Sequence, residues 1–183
     1  HPVNRRQRQM CIRDSIEIGI TPNRPDALSV YGIARDLYAK GLGKLIPRKI
    51  GDIYSTFDSP IGVVLDNSVS TKDCPYFLGR YIKGINNSSS PDWLQNRLIK
   101  IGLRPISGLV DLTNFLTFDS ARPLHAFDAD RLEGDLVVRK AKNGEELKAL
   151  DGNVYKLDDT MTVIADSKCV QAIGGIIGGE NSG

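Results

Sequence analysis

Apolar and polar residues alternate at the start of the regular part of the chain, and "IEIGI" (16–20) predicts a short strand. "TPNRPD" breaks it with two prolines around a turn. A helix follows over "PDALSVYGIARDLYAKGLG". Pro25 suits its first turn, Leu28, Tyr31, Ala34, Leu37 and Tyr38 share a face, and Gly41 or Gly43 ends it. Residues 44–60 read as a connector, and "IGVVLD" (61–66) and "YFLGRYIKGI" (76–85) as strands. The strongest helix signal is "NNSSSPDWLQNRLIKIGLRPIS": Ser90 as N-cap, Pro91 at the first position and Asp92 against the helix dipole. Leu94, Leu98 and Ile101 form its apolar stripe, and Gly102 stops it. "LVDLTNFLTF" (109–118) fits helix or strand, and its length favours helix.

From Asp135 the period changes to two. "DLVVRKA", "EELKAL", "VYKL", "MTVIAD" and "CVQAIGGIIGG" read as short strands, with Asp151-Gly152 as a hairpin turn. Helices and strands are segregated along the chain, which predicts an α+β fold. Its sheets would be mixed and mostly antiparallel, with a β-sandwich-like core and helices packed around it.

Composition changes this picture at one end only. The net charge is +2, but residues 1–15 carry Arg5, Arg6, Arg8 and Arg13 against Asp14, so the remainder is at −1. That leader has no apolar period and is expected to be foreign to the fold rather than an RNA-binding arm. The organisation expected is a non-native leader at 1–15, an opening strand–turn–helix–connector at 16–60, and a core at 61–183. No apolar run approaches the ~18 residues of a membrane-spanning helix. Cys11, Cys74 and Cys169 have neither disulfide nor zinc spacing, which suits a reducing cytoplasm.

Candidate chemistry centres on "LTNFLTFDSARPLHAF". His125 is the one histidine outside the leader, twelve residues after Thr113. Taken alone it reads as a core histidine satisfied by backbone, because a site needs convergent partners. "AIGGIIGGE" approaches phosphate-loop spacing but places Glu180 where lysine should meet phosphate, and a carboxylate there repels the ligand. Its glycines instead suit close approach of a backbone or a ligand. No GxSxG elbow is present, and no cysteine lies near His125 in sequence. Asp111, Asp119, Asp128 and Asp130 read as caps or a solvated face rather than metal ligands. What remains is a polar set, Arg104, Thr113, Asn114 and His125, suited to hydrogen-bonding a ligand and positioning water.

"TPNRPDALSVYGIAR", "GLRPISGLVDLTNFLTFDSARPLHAFDADRLEG", "VVRKAKNGEELKALDGNVYKL" and "TVIADSKCVQAIGGIIGGENSG" together resemble the β subunit of bacterial phenylalanyl-tRNA synthetases, in the stretch that forms its editing domain. The likeness runs from Ile16 to Gly183. It implies that the chain is a fragment, truncated at its C-terminal end before a strand whose glutamate reads the tyrosine hydroxyl. Glu180 is not that residue.

The implied activity is hydrolysis of tyrosine esterified to phenylalanine-specific tRNA. An apolar synthetic pocket rejects an added hydroxyl poorly, so a second site removes the error. By the resemblance, Thr113, Asn114 and His125 line the pocket, with Gly178 on its floor; Arg104, from the polar set, and Gly179 are expected in substrate contact. His125 orients the ester or the terminal adenosine, water attacks, and no side-chain nucleophile or metal takes part. The implied partners are the tRNA 3′ end and an α subunit in an α2β2 assembly. ATP and magnesium belong to the parent's synthetic site, and no cofactor is expected in the fragment. A non-catalytic tRNA-binding or subunit-scaffold module is the alternative. The near-neutral body disfavours strong autonomous tRNA binding, which needs clustered Lys and Arg. A free-standing editing factor is a third reading.

Overall fold

The structure, a computed structural model, describes residues 16–183; the expected leader at 1–15 lies outside the described residues. The chain divides into two compact units that are discontinuous in sequence. One joins the described residues up to Ile50 with Asn86–Leu124, and the other joins Gly51–Ile85 with His125–Gly183.

The first unit is helical. A 3-10 turn at Pro25–Ala27 leads into α1 (Val30–Ala39), where the hydroxyl of Ser29 accepts a hydrogen bond from Gly32 N at 2.9 Å. This supplies one of the partners that the first turn of a helix lacks. The Arg24 guanidinium bridges Asp26 and Asp36 and ties the proline turn to the helix. α2 (Asp92–Lys100) and α3 (Gly108–Ser120) pack together, with Leu94 and Leu98 buried and Trp93 edge-on to Phe115. Arg48 pairs with Asp119 at 2.8 Å and lies over the Tyr31 ring.

α2 departs from expectation at both ends. Ser90 does not cap it: Pro91 occupies the cap position, and the buried Ser90 hydroxyl bonds Asp111 instead. Ile101, placed on the buried stripe, is the C-cap and 51% exposed, because the chain has already left the helical turn there.

The second unit is built on a five-stranded mixed sheet. β1 (Val63–Leu65) lies at one edge and runs parallel to β2 (Leu136–Lys140). β5 (Thr162–Ala165), β6 (Val170–Ile173) and β7 (Ile177–Gly178) then continue the sheet in that order, each antiparallel to the strand before it. β3 (Glu146–Lys148) and β4 (Val154–Lys156) form a separate hairpin. Successive residues Val163 and Ile164 belong to different core clusters, one with Leu147, Leu157 and Ile173, the other with Leu136, Val138 and Ala172. Side chains alternate across a strand, so the sheet is buried on both faces. The α+β class expected from the sequence is the one observed.

Two expected strands do not form. Residues 16–20 and 76–85 pair with no described strand. Alternation fixes which side of an extended chain is apolar, but a strand also needs a neighbour's free edge. In 76–85 the alternation survives as packing: Phe77 and Tyr81 are half-buried, while Tyr76 and Leu78 are exposed.

The Asp151-Gly152 turn forms as expected, with Gly152 at φ +82° and Asp151 accepting from Tyr155 Oη at 2.7 Å and Asn153 N at 3.0 Å. A Cβ in that left-handed conformation costs about 1–2 kcal/mol. Gly152→Ala is expected to lower the urea unfolding midpoint by a corresponding amount; an unchanged midpoint would mean the hairpin adds no stability.

Candidate functional site

In an extended chain, residues i and i+2 point the same way. The "HAF" stretch uses this to set the His125 ring edge-on to Phe127, with centroids 4.4 Å apart. Phe127 packs against the cluster of Leu136, Val138, Ile164 and Ala172, so the histidine is rooted in the sheet through its neighbour. On its other side lies Gly178, at the end of β7. A Cβ built there would overlap the ring at Cε1 and lie 2.8 Å from Nε2 and 3.0 Å from Nδ1. Glycine is what lets the imidazole and this backbone meet.

The imidazole is packed on this side and open to solvent on another. Burial alone holds its pKa below the ordinary 6.5. It is therefore neutral at pH 7, with one nitrogen a donor and the other an acceptor. Among the described residues no group hydrogen-bonds either nitrogen. Both are available to a ligand or a water.

The glycine floor is fixed by backbone bonds. Gly179 N donates to Gln171 O at 2.7 Å, Leu150 N to Gly178 O at 3.0 Å, and Glu180 N to Lys148 O at 2.9 Å. A Cβ at Gly179 would meet Gln171 O at 2.7 Å, so this glycine permits the close backbone approach read from the sequence. Glu180 turns outward to Lys148.

Thr113, Asn114 and Arg104 belong to the helical unit. Thr113 and Asn114 are half-buried on α3, where Thr113 Oγ1 donates to Val110 O at 2.8 Å; Arg104 is exposed in the loop before α3. The acids flanking His125 in sequence are not alike. Asp128 caps the 3-10 turn Ala129–Arg131, as a cap reading allows. Asp111 is 1% exposed, not solvated: its carboxylate accepts from Ser90 Oγ and from Ile106 N at 2.8 Å. A serine and an acid 21 residues apart gave no local signal of that pairing. Among the described residues, no three His, Cys, Asp or Glu side chains cluster as a metal site.

Sequence reasoning missed a buried polar chain, Asp166–Gln171–Ser182. Gln171 Nε2 donates to Asp166 Oδ2 at 2.9 Å, and Gln171 Oε1 accepts from Ser182 Oγ at 2.6 Å. The available signal was a glutamine inside the apolar run of β6, because a buried amide requires partners.

A sheet buried on both faces, ending in a glycine wall under a neutral imidazole, occurs here in a stretch with a family signature. Residues 73–183 match the B3/4 domain, and the chain belongs to that family. Over 168 residues it is 54% identical to the phenylalanine–tRNA ligase β subunit of Mesorhizobium japonicum, and over 169 residues 53% identical to that of Paramagnetospirillum magneticum. Each alignment takes in 92% of this chain and 21% of the relative, so the chain spans about a fifth of the length of the curated relatives it matches. Among solved structures, an N-terminal fragment of the phenylalanyl-tRNA synthetase β subunit from Pyrococcus horikoshii is 20% identical, with a TM-score of 0.45 over 88% of this chain and 48% of that one. Among the described residues no helix is long and apolar enough to cross a membrane.

Proposed function

We propose that the chain is part of the β subunit of a cytoplasmic phenylalanine–tRNA ligase, and that its B3/4 domain hydrolyses tyrosine wrongly esterified to phenylalanine-specific tRNA. One observation carries the reading: an imidazole set directly against a glycine, with neither nitrogen hydrogen-bonded among the described residues and its pKa held below 6.5 by burial. A neutral imidazole can donate to the ester carbonyl or to the terminal ribose and accept from a water, which orients an attack without itself becoming a nucleophile. The absence of a side chain at Gly178 lets the ring seat directly against the β7 backbone, while another side of the ring is open to solvent and to an approaching ester. The likeness to ligase β subunits supplies the substrate class. Thr113 and Asn114 carry their roles from the sequence resemblance, and Arg104 carries its substrate-contacting role from the polar set read in the sequence. On this reading the α subunit completes an α2β2 enzyme, and ATP and magnesium serve its synthetic site.

His125→Ala in the assembled ligase tests the role of the ring. A lost positioning hydrogen bond costs about 0.5–1.5 kcal/mol, or roughly three- to twelvefold in rate. Deacylation of tyrosyl-tRNA is expected to fall within that range, with phenylalanine charging unchanged. A general base would contribute about 10²–10⁴-fold, so a thousandfold loss would assign His125 that role instead. An unchanged deacylation rate would return it to a packed histidine.

A further inference from the structure

Gln171 has no exposed surface, and neither has Ser182. An amide buried on a central strand is costly unless both its ends are bonded. Asp166 fixes which way this one points. Its carboxylate accepts from the backbone N–H groups of Glu133, Lys168 and Cys169, and burial, which alone would push its pKa up, is outweighed by these donors and by the Gln171 amide, which hold it ionised. An ionised carboxylate only accepts, so Gln171 must turn its NH2 to Asp166 and its carbonyl to the Ser182 hydroxyl.

The chain of bonds continues to the histidine segment. Ser182 O accepts from Asp128 N at 2.7 Å, and Asn181 O from an Arg131 guanidinium N–H at 3.1 Å. Asp128 lies three residues after His125, with Phe127 between them. Gln171 also holds the opposite wall, because its backbone carbonyl accepts from Gly179 N. One buried residue thus fastens the glycine floor through its backbone and the His125 segment through its side chain.

We propose that Gln171 and Ser182 are positioning residues that set the His125 imidazole against Gly178, acting through the Ser182 carbonyl and Asp128. Their effect on catalysis rests on the hydrolytic reading above; their effect on the ring does not. Ser182→Ala removes the hydroxyl and leaves the Gln171 carbonyl buried without a donor. The Ser182 backbone then loses its anchor, and the His125 segment its register.

The test is proton NMR of this 183-residue chain, in which His1 and His125 are the two histidines, and His125→Gln assigns the second resonance. In Ser182→Ala the His125 pKa is expected to rise toward 6.5 as the ring is released to solvent. In Leu157→Ala, which truncates the core cluster that Phe127 does not join, the midpoint of unfolding should fall while the His125 titration stays in place. That contrast separates positioning from general loosening. A His125 titration unchanged in folded Ser182→Ala overturns the proposal. Should that variant not fold, hydrogen exchange in the unaltered chain decides. The Asp128 amide should exchange far more slowly than in an open chain, and exchange at the open-chain rate overturns the proposal. In the assembled ligase, Ser182→Ala is expected to lower tyrosyl-tRNA deacylation about three- to tenfold. An enzyme that never deacylates tyrosyl-tRNA would end the hydrolytic reading while leaving the NMR result to judge the positioning.

Discussion

Gly178→Val is expected to reduce tyrosyl-tRNA deacylation by about a hundredfold or more in the assembled ligase, with phenylalanine charging retained. The backbone of Gly178 is not in the left-handed region, so an L side chain is conformationally allowed there. What forbids it is the ring: a Cβ would overlap Cε1 of His125. Displacing the imidazole alone costs no more than removing it, about three- to twelvefold. The larger loss is expected because the strand moves too or valine blocks the ester's approach to the ring, and misplacing the reacting groups by about 1 Å costs roughly 10²-fold. Gly178→Ala should show the same loss to a smaller degree. The His125→Ala/Gly178→Ala pair should be no slower than His125→Ala alone, since the clash is gone. A Gly178→Val enzyme that deacylates normally would show that substrate does not enter beside His125.

The largest effect on stability is expected from Asp166→Ala. The carboxylate accepts from the backbone of Glu133, Lys168 and Cys169 and from the buried amide of Gln171. Each buried donor left without a partner costs about 1–3 kcal/mol, and since some of these N–H groups can reach water, about 3–5 kcal/mol is expected in total. For a chain of this size that corresponds to about 10 °C in thermal midpoint. The sign of the pH dependence follows from the depressed pKa. Asp166 contributes stability above its unfolded value near 3.8, and that contribution is lost as pH falls through the lower folded value. The deficit of Asp166→Ala should therefore shrink in acid. Asp166→Asn, which keeps one acceptor oxygen, should lose less. A deficit of Asp166→Ala below about 1 kcal/mol at neutral pH would show that water satisfies these donors.

The elements visible in the sequence were those whose signals are local. Pro91 and Gly102 bracket α2, and Asp151-Gly152 closes the β3–β4 hairpin, because these residues restrict the backbone wherever they stand. Residues 16–20 and 76–85 misled because alternation records a burial preference and says nothing of a partner strand. Ser90 misled in a related way: its hydroxyl oxygen suits an N-cap, which accepts from a backbone N–H, yet it is turned away to donate to the buried carboxylate of Asp111, 21 residues later. At the candidate site, family resemblance singled out His125 and Gly178, and the structure sets them against each other. Gln171 and Ser182 stayed hidden because their partnership spans 11 residues around a hairpin, and the glycines between them drew the reading toward ligand binding. A lone polar residue in an apolar strand was the sign to follow.

The hydrolytic reading is tested most directly by comparing deacylation of tyrosyl and phenylalanyl esters of phenylalanine-specific tRNA by the assembled ligase. The tyrosyl ester is expected to be cleaved well above its spontaneous rate and faster than the phenylalanyl ester, with Gly178→Val removing most of the excess. Cleavage of the tyrosyl ester at the spontaneous rate, or at the same rate with Gly178→Val as without it, would contradict the hydrolytic reading.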